Sequence, residues 1–170
     1  MRLAFDTNVV LDVVLERAPF AESARRLWAA VEKGQIEGLL AAHAFTTVWY
    51  LVAQAKGPAA ARGIVALVAG VFGVATVDEG VVRRALELEF KDLEDAVCAA
   101  AAEAAGCDLV VTRNRKDFAH SPVTAVDPIT ALALVEGGGS AGVSERRATY
   151  GRRAKGVRAR RAHGGARATR

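Results

Sequence analysis

Asp108-Leu109-Val110-Val111-Thr112 is a run of branched aliphatic residues closed on both sides by polar ones. A continuous apolar strand is buried on both faces, as in a parallel sheet; a strand with one wet face alternates instead. The segment before it runs from Asp92 to about Ala105 and is rich in alanine. Asp92 can cap a helix there and Gly106 can close it. After it, Val123–Val126 reads as a weaker strand, and Pro128 opens a helix to about Glu136. At the other end of the chain, Arg2-Leu-Ala-Phe5 is a short apolar run that stops at Asp6-Thr7-Asn8. A helical pattern begins at Val9, so this reads as strand, turn, helix. Pro19 opens a second helix to about Lys33, ended by Gly34. Residues 36–42 read as a buried strand and 43–56 as a helix with Phe45, Val48, Trp49 and Val52 on one face. Gly57-Pro58 breaks that helix, and another follows to about Val71. Val74–Val77 is a short strand, and Asp78 caps a helix to about Phe90. Alternating strands and helices predict a mostly parallel sheet with helices on both faces.

The 170 residues suffice for one domain, and an apolar content of 52% supplies a real core. The net charge of +4 is unevenly spread. Residues 137–170 hold ten Lys/Arg and one acid, for +9, and residues 1–136 hold 13 basic and 18 acidic groups, for −5. Residues 1–136 are therefore expected to fold, and residues 137–170 to be a disordered Gly/Arg-rich basic tail. Cys98 and Cys107 do not form a C-x-x-C pair, and no Cys/His cluster has zinc spacing. Both are expected as reduced core thiols. Asp6 interrupts the first apolar run, so no signal peptide is expected. The uncharged stretch Gly63–Val77 is too short to span a bilayer. A cytoplasmic protein without a membrane partner is expected.

The acids are placed for chemistry. In an open parallel sheet, ligands bind beyond the carboxyl ends of the strands. Asp6 follows the first strand; Asn114 and Asp117 follow the Leu109–Thr112 strand; Asp92 and Asp95 begin the helix leading into it. If the two strands are neighbours, four carboxylates and an amide meet at one edge. Crowded like charges repel, and a hard divalent cation neutralises them. Two such ions about 3.5–4 Å apart can activate water and stabilise the leaving oxygen in phosphodiester cleavage. Each residue also has a plainer role. Asp6 could cap the first helix, Asp92 and Asp95 could form a capping box, and Asp117 could sit in an Asx turn. Asp12 reads as a helix-surface charge, the histidines as surface or structural groups, and Trp49-Tyr50 as core.

Leu3-Ala-Phe-Asp6-Thr7-Asn8-Val9-Val10-Leu11-Asp12 resembles the opening motif of PIN-domain nucleases. Leu93-Glu94-Asp95-Ala96-Val97 resembles their central acidic motif, and Leu109-Val-Val-Thr112-Arg113-Asn114-Arg115-Lys116-Asp117-Phe118 their last one. Order, spacing and length resemble the VapC-like toxins of prokaryotic toxin–antitoxin pairs over residues 2–135. The resemblance implies an α/β/α three-layer sandwich and a Mg²⁺- or Mn²⁺-dependent endoribonuclease. It also implies an RNA substrate, a cognate antitoxin and a homodimer. Carried over by position, Asp6 and Asp95 are the main metal ligands, with Asp92 and Asp117 supporting catalysis. Thr7 and Asn8 shape the turn, and Arg113, Arg115 and Lys116 are the candidate RNA-binding cations. There are two departures: Thr47 stands where the family has an acid on the third helix, and Asn114 where many relatives have one.

Other readings remain. A catalytically silent PIN fold would bind RNA or an antitoxin, in line with Thr47 and Asn114. A phosphatase of the haloacid dehalogenase type would use Asp6 as nucleophile but needs an acid where Asn8 stands. A phospho-receiver domain lacks the expected acid pair beside the first strand.

Overall fold

The structure, a computed structural model, describes residues 1–137. Its chain order is β1 (Arg2–Phe5), α1 (Thr7–Val14), α2 (Ala21–Glu32), β2 (Glu37–Ala41), α3 (Ala44–Lys56), α4 (Pro58–Val71) and β3 (Gly73–Ala75). Then follow α5 (Glu79–Glu87), α6 (Leu93–Ala104), β4 (Leu109–Val111), β5 (Ala125–Val126) and α7 (Pro128–Gly137). The five strands lie in the order β3-β2-β1-β4-β5. Every pairing is parallel. The chain winds outward from β1 through β2 to β3, then crosses back to place β4 on the other side of β1. Beyond the carboxyl ends of β1 and β4 lies the switch point where such sheets bind ligands. The expected basic tail lies outside the described residues.

Alternation along β1 builds two cores. Leu3 and Phe5 face one layer, with Leu27, Leu40, Val48, Val68 and Val111. Ala4 faces the other, with Leu39, Ala41, Ala75, Val110 and the alanines of α6. Small residues on both sides let α6 lie close against the sheet. On the first face, Phe72 meets Phe5 and Trp28 edge to face, each with ring centroids 5.0 Å apart. Burying one such Leu or Phe side chain contributes about 1.5–3 kcal/mol.

Helix ends follow the expected chemistry with small shifts. Gly34 and Gly106 both have positive φ and close Schellman turns on α2 and α6. In each, the next residue's N–H returns to a carbonyl five residues earlier: Gln35 to Ala30 and Cys107 to Ala102, both at 2.9 Å. Asp78 caps α5 by accepting from the Val81 N–H at 3.0 Å. The first helix starts at Thr7, not Val9, and the second at Ala21, two residues beyond Pro19. Trp49 and Tyr50 are not core: they are 42% and 57% exposed, because Val48 and Val52 occupy the buried stripe of α3. Both cysteines are free and buried, as expected. Among the described residues no helix is long and apolar enough to cross a membrane.

Candidate functional site

β1 pairs with β4 in the register Phe5↔Val111, which sets Asp6 beside Thr112 at the carboxyl edge. The Asp6 N–H donates to the Val111 carbonyl at 3.0 Å, extending the ladder to the site. Asp6 is only 6% exposed. Its side chain does not cap α1. Its Oδ2 instead accepts from Thr112 Oγ1 at 2.6 Å and from Asn8 Nδ2 at 2.5 Å. Burial pushes the Asp6 carboxyl above its usual range; the Thr112 hydroxyl and the backbone at Asn8 and Thr7 work against this, and Glu94 adds to it. Thr112 is fully buried, and its Oγ1 also accepts from the Asn114 N–H at 3.0 Å. One threonine thus orients the acid and starts the next turn. Asn8 Oδ1 accepts from the Arg113 N–H at 3.4 Å, joining the two strand ends.

The second acid comes from α6. Asp92 caps this helix by accepting from the Glu94 N–H at 2.7 Å, which was its plainer role. The cap orients the first turn and sets half-buried Asp95 beside Asp6. Its carboxyl is pushed up to about 7, first by burial and then by Asp6, Asp92, Asp117 and Glu94. Three of the candidate acids, Asp6, Asp92 and Asp117, therefore act electrostatically on the fourth, Asp95. Phe90 and Phe118 stack edge to face at 5.6 Å, tying the segment before Asp92 to the one after Asp117. Asp117 lies exposed on a turn closed by its own N–H and the Asn114 carbonyl, 2.8 Å apart.

Of the candidate acids, Asp117 alone lines an open groove of about 870 Å³, together with Asn114, Arg115, Lys116 and Ser121 among others. Lys116 is exposed, and Arg115 reaches Asp127 at 3.6 Å. Arg113, expected at the RNA, has its guanidinium engaged by the body. Its Nη1 lies 3.1 Å from Asp12 Oδ1, and its guanidinium carbon sits 4.6 Å from the Phe20 ring centroid. Asp12 is not a surface charge: it is 0% exposed. Thr47 is half-buried in the first turns of α3, where its backbone N–H donates to the His43 carbonyl at 3.3 Å.

Three participants escaped the sequence reading: Thr112, Glu94 and Asp12. Glu94 Oε1 accepts from Thr7 Oγ1 at 3.1 Å, so it belongs to the edge rather than to the solvated face of α6. Thr112 was legible as a strand end, but its role needed the β1–β4 register. Neighbouring Asp95 was the only signal for Glu94.

The donor set is all oxygen and carries uncompensated negative charge, which suits a hard divalent cation. Among the described residues, no group of three or more His, Cys, Asp or Glu side chains is assembled to hold a metal. An open carboxylate pair still fits Mg²⁺, which binds through one or two carboxylates and keeps several waters.

The fold is similar to those of solved toxin–antitoxin structures. VapBC2 from Rickettsia felis, bound to a DNA fragment from its promoter, matches with a TM-score of 0.60 at 14% identity, covering 75% of this chain and 98% of that one. A toxin–antitoxin complex from Klebsiella pneumoniae matches with a TM-score of 0.56 at 22% identity, covering 74% and 97%. The sarcin–ricin-loop-cleaving toxin VapC20 from Mycobacterium tuberculosis matches with a TM-score of 0.52 at 19% identity, covering 64% and 86%. No curated protein sequence matches the chain. The family model of the PIN domain matches residues 2–116, and with the carboxylate edge in place, the chain belongs to the PIN domain family.

Proposed function

We propose that this protein is a Mg²⁺- or Mn²⁺-dependent endoribonuclease and the toxin of a toxin–antitoxin pair. The observation that carries this reading is the Asp95 carboxyl, pushed up to about 7 by burial and four neighbouring acids. Such crowding is relieved by a cation, and PIN-domain proteins are generally nucleases. Asp6 and Asp95 would hold the ion, with Asp92 and Asp117 in support. Bound there, it supplies charge neutralisation and a polarised water for phosphodiester hydrolysis. The chain does the rest. Thr112 and Asn8 hold Asp6, Thr7 steadies the turn, and Asn114 and Asp117 border the groove. Arg115 and Lys116 are the cations placed to meet the RNA phosphates, and Arg113 fixes the base of their loop. A cytoplasmic location and a homodimer belong to the same reading, as does a cognate antitoxin, which the complexes in which the similar folds occur support.

The purified full chain is expected to cut single-stranded RNA with Mg²⁺ or Mn²⁺ and to stop when EDTA is added. RNA left intact while small phosphate monoesters are hydrolysed would sink this reading. A second reading, a silent module that binds RNA or antitoxin, is favoured by Thr47 in place of an acid. RNA binding without metal or turnover would establish it.

The tail carries a separate expectation. Ten Lys/Arg and one acid in residues 137–170 would add nonspecific phosphate contacts. Deleting residues 138–170 should weaken RNA binding at low salt and flatten the dependence of log affinity on log salt. Unchanged affinity at low salt, measured by fluorescence anisotropy, refutes the tail's role.

A further inference from the structure

The Thr7 hydroxyl donates to Glu94 Oε1 at 3.1 Å, joining the first residue of α1 to the first turn of α6. The two ends of this bond are chain neighbours of the two principal acids: Thr7 follows Asp6, and Glu94 precedes Asp95. The donor side is fixed. Thr7 is 8% exposed, and the Asp6 N–H before it is anchored on the Val111 carbonyl at 3.0 Å. The acceptor side is fixed at its backbone, where the Glu94 N–H donates to Asp92 Oδ1 at 2.7 Å. The bond also answers a need of α1. Asp6, at the N-cap, makes no side-chain cap, its Oδ2 accepting from Thr112 and Asn8 instead, and the first turn of α1 contains no acid. The unmatched N–H groups at a helix start favour nearby negative charge. The half-buried Glu94 carboxylate brings that charge from α6.

We propose that the Thr7–Glu94 hydrogen bond is a latch that sets the spacing of the Asp6 and Asp95 carboxylates. The packing beneath α6 leaves this task to a directional contact. Ala96, Ala99, Ala100, Ala101 and Ala102 lie buried against Ala4, Ala41 and Ala75 of the sheet. Methyl groups offer shallow ridges, so such a face resists sliding or turning less than interlocked large side chains do. The latch pins the helix at its first turn, one residue from each acid. Thr7 and Glu94 are positioning residues in this role: Glu94 serves through the hydrogen bond it accepts and does not itself hold the cation. The effect on the cation rests on the nuclease reading of the site, whereas the latch does not.

The test uses the full chain, with Thr7→Val, Glu94→Ala and the double variant. Thr7→Ser and Glu94→Gln, which keep the hydroxyl donor and an oxygen acceptor, complete the set. Mn²⁺ binding is followed by electron paramagnetic resonance, and the Asp95 amide of the metal-free protein by ¹⁵N NMR. Thr7→Val and Glu94→Ala should each weaken Mn²⁺ about tenfold, as loss of an outer-shell partner does. The double variant should be no weaker than the worse single one, since both remove the same contact. Thr7→Ser and Glu94→Gln should recover most of the loss. In EDTA the Asp95 amide resonance should move in Thr7→Val and return in Thr7→Ser. Additive losses overturn the latch. So does a Glu94→Gln variant as weak as Glu94→Ala beside a harmless Thr7→Val, the pattern of a direct ligand. If the unaltered chain binds no Mn²⁺, the metal reading fails, and the Asp95 amide decides the latch: indifference to Thr7→Val overturns it.

Discussion

Asp95→Asn is expected to abolish RNA cleavage and, in the metal-free protein, to raise stability at neutral and alkaline pH. Both effects come from one carboxylate. Removing a principal ligand forfeits several kcal/mol of transition-state stabilisation, about a thousandfold in rate. Asp6→Asn should lose cleavage to a similar extent. The stability effect follows from proton linkage. The Asp95 carboxyl titrates near 7 in the folded chain against an ordinary value of 3.8. Between these values the folded chain keeps a proton that the unfolded chain has released. Folding is therefore disfavoured progressively as pH rises through this window, and the loss levels off above 7. Asparagine has no proton to lose, so the variant escapes the Asp95 share of the decline. Thermal melts in EDTA from pH 4 to 8 measure this. A wild-type melting temperature that falls across the window, recovers with Mg²⁺, and falls less in Asp95→Asn is the expected pattern. Identical curves for the two proteins, or unchanged cleavage by both variants, would refute the site assignment.

Arg113→Ala should be among the most destabilising single changes. Asp12 has no exposed surface, and the Arg113 guanidinium 3.1 Å away is the charge paired with it. Burial pushes the Asp12 carboxyl up, and Arg113 and then Arg17 pull it back. Removing one partner of a buried pair strands the other charge, at a cost of about 3–5 kcal/mol. The lost stacking on Phe20 adds about 0.5–1 kcal/mol. Against a domain stability of about 5–15 kcal/mol, this is a large fraction. Removing both charges should cost far less, because apolar side chains of similar volume can replace a buried pair. Asp12→Leu combined with Arg113→Met should therefore recover most of the loss. Urea unfolding midpoints test this, and a change below about 1 kcal/mol for Arg113→Ala would show that the pair does not brace the β4–α1 junction. The same change should loosen the loop bearing Asn114 and Asp117.

Local pattern made much of the fold legible. The apolar run at 108–112, the capping acids Asp78 and Asp92, and the stop glycines Gly34 and Gly106 act through neighbours in sequence. Their helices and strands appear within about three residues of expectation. Asp12 and Trp49 misled for one reason. A helix position acquires its inside only from what packs on it. Asp12 looked solvated because its partner Arg113 lies in a distant segment, and Trp49 looked buried because it adjoins Val48 and Val52.

The sequence by itself determined that strands alternate with helices, that acids follow the first and fourth strands, and that charge divides between an acidic body and a basic end. Periodicity, caps and composition carry these facts within a few residues. Only the tertiary structure decided which side chains meet at the edge. The β1–β4 register placed Thr112 on Asp6, and the cap of α6 brought Glu94 to Thr7. Such contacts join distant residues, and a strand's register is a property of the pair rather than of either sequence.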